Sequence, residues 1–234
     1  ALTLRNAGIE SPVLVFGWVD PSLIPRAIDL DLTLSVYNLD MARAYSEAAG
    51  TVNRQVRVHI KIDTGMGRVG MPAHESADRQ AAIHDIEKIR TLTGILAHGI
   101  YTHFAAADSA DPVYTQTQIS RFDALMAGLE THGLSFKIRH AANSAGIISF
   151  PKAHYDMVRA GISLYGFYPS DEVDRSRVDL FPAMTLRSVV SAVRDVPKGF
   201  KVSYGMTYET AEPTRLASVP IGYADGFSRQ FSSN

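Results

Sequence analysis

Over the first two thirds of the chain, short apolar runs alternate with stretches whose apolar residues recur every three or four positions. Runs at about 13–16 (VLVF), 32–36 (LTLSV), 56–62 (VRVHIKI), 95–103 (ILAHGIYTH), 136–141 (FKIRHA) and 156–159 (DMVR) predict strands. Between them, ALTLRNA stops at Gly8 with Pro12 beyond, and MARAYSEAAG stops at Gly50. HESADRQAAIHDIEKIR sets Ile83, Ile86 and Ile89 on one side of a helix. TQISRFDALMAGLETHG sets Ile119, Phe122, Leu125 and Leu129 on one face and stops at Gly133. Strands alternating with helices predict a parallel sheet, because each parallel crossover needs a covering element.

After residue 170 the pattern changes. SDEVDRSRVD is polar and linker-like, and LRSVVSAVRDV, KVSYGMTYET and RLASVPIGYA follow, separated by Pro-Lys-Gly and Ala-Glu-Pro turn signals. Helical periodicity is gone, so an antiparallel β region is expected. The expected division is an α/β part over residues 1–177 and the beginning of an all-β part over 178–234.

Composition removes several function classes. The 234 residues carry a formal net charge of −1, with no basic stripe or acidic tail, which argues against nucleic acid and a membrane surface as partners. No apolar run approaches the roughly 18 residues of a spanning helix. ALTLRNAGIESP has neither the basic nor the apolar region of a signal peptide, so a cytoplasmic protein is expected. Without cysteine there is no disulfide framework and no thiolate metal site.

The stretch KIDTGMGRVG contains Gly65-x-Gly67-x-x-Gly70 behind a strand, the spelling of a dinucleotide fingerprint. The context is wrong for one. Met71-Pro72 follows where a helix should open, and Asp85 and Glu87, about 20 residues on, lie in a helical pattern rather than at a strand end. A solvated βα turn is the plain alternative. In α/β barrels, however, chemistry sits on loops at the C-terminal ends of strands. Those ends carry Lys61, Asp63 and Arg68, then His103, then His140, Asn143 and Ser144, then Arg159, Gly161 and Ile162. AANSAG and RAGI combine a hydroxyl, small residues and free backbone N–H groups, which suits a phosphate.

KIDTGMGRVG, GIYTHFAAAD, HAANSAG, MVRAGISLYG, VSYGMTYET and PIGYADG together resemble the alanine racemases, in the family's order and across essentially the whole chain. The resemblance implies a (β/α)8 barrel of the TIM type (fold type III among pyridoxal-phosphate enzymes), here with about six of eight strands, followed by the start of an all-β C-terminal domain. It implies pyridoxal 5′-phosphate as cofactor, and interconversion of L- and D-alanine by two bases on opposite faces of the substrate, supplying D-alanine for peptidoglycan. A homodimer is implied, in which Tyr204 acts as the L-face base in the partner's site. His103 would hydrogen-bond that phenol, and Arg159 would contact His103 and face the pyridine nitrogen. Asn143, Ser144, Gly161 and Ile162 match the phosphate-binding set. Arg68 matches the arginine on the cofactor's phenolic oxygen and the substrate carboxylate. Lys61 is a candidate for carbamylation, or else an ordinary lysine whose ammonium points to Asp63. Tyr223 matches a tyrosine at the substrate's way in, or else is a packed strand tyrosine.

The sequence also departs from the family. No Lys-Ala-Asn-Ala-Tyr-Gly-like segment supplies the cofactor lysine; Lys61, Lys88, Lys137, Lys152, Lys198 and Lys201 are the lysines present. The family's cysteine-methionine pair and late tyrosine are missing as well. The chain is therefore expected to be a central segment, inactive alone. Rival readings are a racemase of another small amino acid such as serine, a non-catalytic pyridoxal-phosphate barrel, and a metal-dependent hydrolase built on His103, His140 and Asp63.

Overall fold

The structure, a computed structural model, describes residues 1–231. It divides into two compact units, Ala1–Ala183 and Met184–Asn234. In the larger unit, β1 (Val13–Val15), β2 (Leu32–Val36), β3 (Val56–Asp63), β5 (Ile95–Tyr101) and β6 (Ile138–His140) pair in parallel in that order, with β4 (Met71–Pro72) added beside the end of β3. The five strands curl through 206°, about half of a barrel. The helices between them are α2 (Ile24–Asp29), α3 (Leu39–Gly50), α4 (Ser76–Thr91) and α5 (Val113–Thr131), with α1 (Leu2–Asn6) ahead of β1 and α6 (Ser144–Ser149) after β6.

Every residue of β2 is buried, and β3 is buried except at Arg57 and Asp63. Strands covered on both faces read as near-continuous apolar runs, which is why VRVHIKI was legible as one. The two faces nevertheless differ. Val56, Val58, Ile60 and Ile62 join Tyr45, Ile86, Ile89, Phe122 and Leu125 in the core under the helices. The alternate residues His59 and Lys61 lie on the opposite, concave face. Register carries that polar face across the sheet, because Ser35 pairs with His59, Lys61 with Tyr101, and Tyr101 with His140.

A bulge between Val58 and His59 on β3 sets Ala97 opposite Val58 and Gly99 opposite His59, leaving His98 as the extra residue. It corrects the phase of β5, so that Tyr101 faces inward with His140. Gly99 is required at this point: a Cβ there would lie 2.7 Å from the His59 ring.

The expected sixth strand, 156–159, reduces to a single parallel bridge between His140 and Met157. There the Asp156 carboxylate accepts from the Arg139 backbone N–H at 2.8 Å and its Nε at 2.9 Å, while the Asp156 N–H donates to Arg139 O at 3.0 Å. Strands 95–103 and 136–141 also end earlier than their apolar patterns suggest. In the smaller unit, β7 (Ala192–Val196) pairs antiparallel with β10 (Thr214–Ser218), and β8 (Lys201–Val202) with β9 (Tyr208–Glu209). Residues 186–191, read as part of an apolar strand, lie outside any strand. Ser232, Ser233 and Asn234 fall outside the described residues.

Gly94 and Gly50 offer a test of this packing. A Cβ at Gly94 would lie 2.3 Å from the Ser46 carbonyl oxygen of α3, whereas nothing lies within 4 Å at Gly50. Gly94→Ala is expected to lower the unfolding free energy by about 1–3 kcal/mol through overpacking. Gly50→Ala should leave it unchanged or raise it by up to about 1 kcal/mol. Urea midpoints of the two variants check this; equal midpoints would contradict the close approach of α3 to the start of β5.

Candidate active site

The concave face leads up to the Arg159 guanidinium, which is half-buried and has a dense set of acceptors. Its Nη1 donates to His140 Nδ1 at 2.5 Å. Its Nη2 donates to the carbonyls of Thr102 and Ala141, both at 2.8 Å, and to His103 Nδ1 at 3.2 Å. The backbone N–H of Arg159 is held by Ala142 O at 2.9 Å. The cation also lies 5.4 Å over the Tyr101 ring and 5.9 Å over that of Phe16. Burial lowers its pKa to about 10, so it remains charged at neutral pH.

A guanidinium only donates, and this fixes the protons of its neighbours. His140 Nδ1 must accept, so its proton is on Nε2, which donates to His59 Nδ1 at 2.8 Å. His59 then carries its proton on Nε2, directed at His98 Nδ1 3.4 Å away. His103 likewise accepts on Nδ1 and keeps an Nε2–H free to donate elsewhere. Burial, with Arg159 and His59 adding, pushes His140 down to about 2. Burial pushes His59 to about 4, with His98, Arg57 and Arg159 adding. Burial also pushes His103 to about 4, with Arg159, Lys61 and Arg68 adding. All three rings are neutral at pH 7. The Tyr101 ring stacks on His140 at 4.6 Å, and its hydroxyl meets Ser35 Oγ at 2.8 Å.

Lys61, at the end of β3, is buried beside Tyr101, with Nζ 5.8 Å from the ring centre. Burial lowers its pKa; Arg68 and Arg159 add to this, and Asp63 opposes it. Its ammonium has no ion pair with Asp63, because that carboxylate is engaged in the glycine loop. Asp63 Oδ1 accepts the N–H groups of Gly65, Met66 and Gly67 at 2.8–3.1 Å, and Oδ2 also reaches Gly67. Burial raises the Asp63 carboxyl, but the loop N–H groups and His74 outweigh it, and its pKa is lowered. The loop N–H groups are thus closed over an internal carboxylate, and β4 rather than a helix follows Gly70. This is the physical reason the glycine pattern is not a dinucleotide fingerprint. Gly65, Gly67 and Gly70 all have positive φ, which lets the loop turn and leaves Arg68 exposed at its tip.

Asn143 caps α6, accepting from Gly146 N at 2.9 Å. Ser144 Oγ accepts from Gly161 N at 2.8 Å and Ser163 N at 3.3 Å, so α6 and the 3-10 turn Ile162–Tyr165 converge on one hydroxyl. Ile162 is 46% exposed beside them. Among the described residues, Lys61, Arg68 and Arg159 have no ion pair, so three cations gather with the loop-bound Asp63 carboxylate opposing them only at a distance. Together with the donors around Ser144, they fit a ligand bearing anionic groups. In the smaller unit, Tyr204 and Tyr223, 93% and 71% exposed, line one cavity of about 580 Å³ with Val202, Ser203, Thr207, Tyr208 and Arg229.

His140 and Asp63 are committed to Arg159 and to the glycine loop, and no group of three or more His, Cys, Asp or Glu among the described residues could hold a metal ion. The hydrolase reading therefore has no ligand set. Sequence reasoning missed His59, the loop role of Asp63, and Gln118 of α5, which is fully buried among Thr64, His103 and Ala105. The available signal was a polar residue at an inward strand position or on the apolar face of a helix.

Residues 1–169 match the family described as "Alanine racemase, N-terminal domain", and residues 183–234 match "Alanine racemase, C-terminal domain". The chain is 47% identical over 229 residues to an alanine racemase of Methanococcus maripaludis, covering 98% of this chain and 60% of that protein. It spans about three fifths of the length of such relatives. Among solved structures, the alanine racemase of Clostridium difficile 630 superposes with a TM-score of 0.88 at 37% identity, over 97% of this chain and 58% of that one. The histidine racemase of Leuconostoc mesenteroides superposes with a TM-score of 0.82 at 28% identity, over 97% and 59%.

The neutral histidines make stability depend on pH. Their folded pKa values lie below the roughly 6.5 of an unfolded histidine, so between about 4 and that value the unfolded chain binds more protons. Stability in this window therefore rises with pH and is lost on acidification. The urea midpoint should fall between about pH 7 and about pH 5, and His59→Gln should remove part of that fall. An unchanged pH dependence in the variant would show that His59 is not held neutral by the fold.

Proposed function

The chain belongs to the alanine racemase family, and from that premise we propose that the protein it forms interconverts L- and D-alanine with pyridoxal 5′-phosphate. When bound, that cofactor supplies a place for the electron pair left when the α-proton departs. The observation that carries the reading is the Arg159 cluster: a desolvated guanidinium held entirely by neutral acceptors, with a neutral His103 on one side. Arg159 would meet the ring nitrogen without yielding its proton, which limits charge withdrawal and favours return of the proton over transamination. The N–H groups at Gly161 and Ser163, with Ser144, Asn143 and Ile162, would hold the phosphate. Arg68 would meet the phenolic oxygen and the substrate carboxylate.

Tyr204 is the proposed base on the L-face, acting in the site of a partner subunit of a homodimer. A phenol with a pKa near 10 needs help to accept a proton. The free Nε2–H of His103 is the donor that would stabilise the phenolate. Tyr223 would border the same substrate, which accords with the cavity it shares with Tyr204. No helix among the described residues is long and apolar enough to cross a membrane, and we place the reaction in the cytoplasm, feeding peptidoglycan. The lowered pKa of Lys61 leaves more of its amine uncharged and able to add carbon dioxide. The resulting carbamate would supply the missing anion beside Arg68. A second reading, racemisation of another amino acid, is favoured by the likeness to a histidine racemase.

Full-length protein with pyridoxal phosphate should convert L-alanine to D-alanine and exchange its α-hydrogen in D2O. Exchange faster with another amino acid would move the substrate, and no exchange with any would leave a carrier barrel. Tyr204→Phe is expected to abolish loss of the α-hydrogen from L-alanine while the cofactor still binds; retained loss would reject it as the base. Arg159→Glu should raise the transamination rate relative to racemisation, and an unchanged ratio would remove the role given to Arg159. For Lys61, a carbamate carbon resonance should appear with 13C-labelled bicarbonate and vanish in Lys61→Arg; its absence would leave an ordinary lysine.

A further inference from the structure

Helix α5 lies behind the two loops that carry Arg68 and His103, and three of its side chains reach them. Tyr114, Gln118 and Arg121 are spaced i, i+4 and i+7, so they fall on one face. Tyr114 Oη donates to Gly65 O at 2.7 Å, and Arg121 Nη1 to Thr64 O at 2.9 Å. Gln118 sits between them, fully buried. Its Nε2 donates to His103 O at 3.1 Å and to Thr64 Oγ1 at 3.3 Å, while its Oε1 accepts the Ala105 N–H at 2.9 Å. The amide can be oriented in one way only: a backbone N–H needs the oxygen and a carbonyl needs the nitrogen. Thr64 Oγ1 in turn meets Thr102 Oγ1 at 2.7 Å, and the Thr102 carbonyl accepts from Arg159.

We infer that Gln118 is a positioning residue that ties the Arg68 loop to the His103 loop and holds both in register with Arg159. The helix changes character along this face. Its first turns present Tyr114, Gln118 and Arg121 to the loops, and its later turns present Leu125 and Leu129 to the core. A buried amide has a large desolvation cost unless all its groups are paired, and here each pairing lands on a backbone or hydroxyl of a loop bearing a proposed site residue. Gly65 agrees with this arrangement: a Cβ there would lie 2.7 Å from Tyr114 Oη and 3.3 Å from Arg121 Nη1.

The inference rests on the proposed racemase reading for its kinetic consequence, but not for its structural one. Gln118→Met keeps the side-chain length and removes all three bonds. Gln118→Glu keeps the acceptor for Ala105 and loses the donors until its carboxyl is protonated as pH falls, and burial with two facing acceptors moves that protonation to a less acid pH than in a free carboxyl. In the full-length holoenzyme, amide exchange at Ala105 should accelerate at least about tenfold in Gln118→Met and stay slow in Gln118→Glu. With L-alanine, kcat/KM should fall about 10–100-fold in both at neutral pH. Relative to wild type, Gln118→Glu should recover as pH falls and Gln118→Met should not.

Unchanged Ala105 exchange in Gln118→Met would overturn the clamp itself. Activity lost only in proportion to the unfolded fraction, without pH rescue in Gln118→Glu, would reduce Gln118 to a packing residue and overturn the inference. A wild-type enzyme without racemase activity would instead overturn the proposed function, while the exchange result would still decide the clamp.

Discussion

A guanidinium taken out of water without a carboxylate partner is the constraint around which the concave face is built. Burying an isolated charge is costly, and ordinary folds answer with an ion pair. Here Arg159 is answered by two carbonyls, two imidazole nitrogens and two aromatic faces. That choice propagates. Because the cation can only donate, both imidazoles it touches must accept, and His140 passes the direction on to His59. A carboxylate near Arg159 would have permitted protonated histidines; its absence enforces neutral ones. The cluster therefore keeps net positive charge and few mobile protons, an environment that favours an anionic ligand over a proton-donating one.

The same economy governs the glycine loop. Its N–H groups could have cradled a phosphate, but Asp63 takes them from inside the fold. The loop becomes a rigid carrier for Arg68, with the charge of Asp63 spent on amides rather than on Lys61. Rigidity on this side is matched behind the sheet, where α5 meets the loops through paired polar groups instead of apolar packing. A carrier fixed by hydrogen bonds can be exact in position where apolar contacts tolerate sliding, since hydrogen bonds weaken steeply with angle and distance.

The strands β2, β3 and β5 and the helices α3, α4 and α5 could be read from the sequence because their apolar periodicities are long and uninterrupted. The sixth strand could not, since at DMVR the Arg139 N–H is taken by the Asp156 carboxylate and the pairing shortens to the His140–Met157 bridge. For the site, the motifs pointed to Arg68, His103 and Arg159, which lie in loops, and to Ser144, which opens α6. Residues acting from inside elements were hidden. His59 sits in VRVHIKI, where a single polar residue does not disturb the run. Gln118 sits among Ile119, Phe122 and Leu125, and nothing local distinguishes a paired buried amide from a solvated one. Pairing is a tertiary property, and the partners of Gln118 lie 13 to 54 residues away in sequence.

These protonation states also limit where pH sensitivity can originate. His140, His59 and His103 have left the neutral range on the acid side, and Arg159 remains above it. Tyr101 is pushed up to about 12 by burial, against the opposing Ser35 hydrogen bond. Of the buried groups facing Arg159, Lys61 is the one whose shift carries it toward neutral pH from above, with burial and two arginines acting in the same direction. Burial thus favours the uncharged form at Lys61, as it does at Tyr101 and at the three imidazoles. The concave face therefore has its imidazole protons placed by the geometry of one guanidinium, which can only donate, rather than by exchange with solvent near neutral pH.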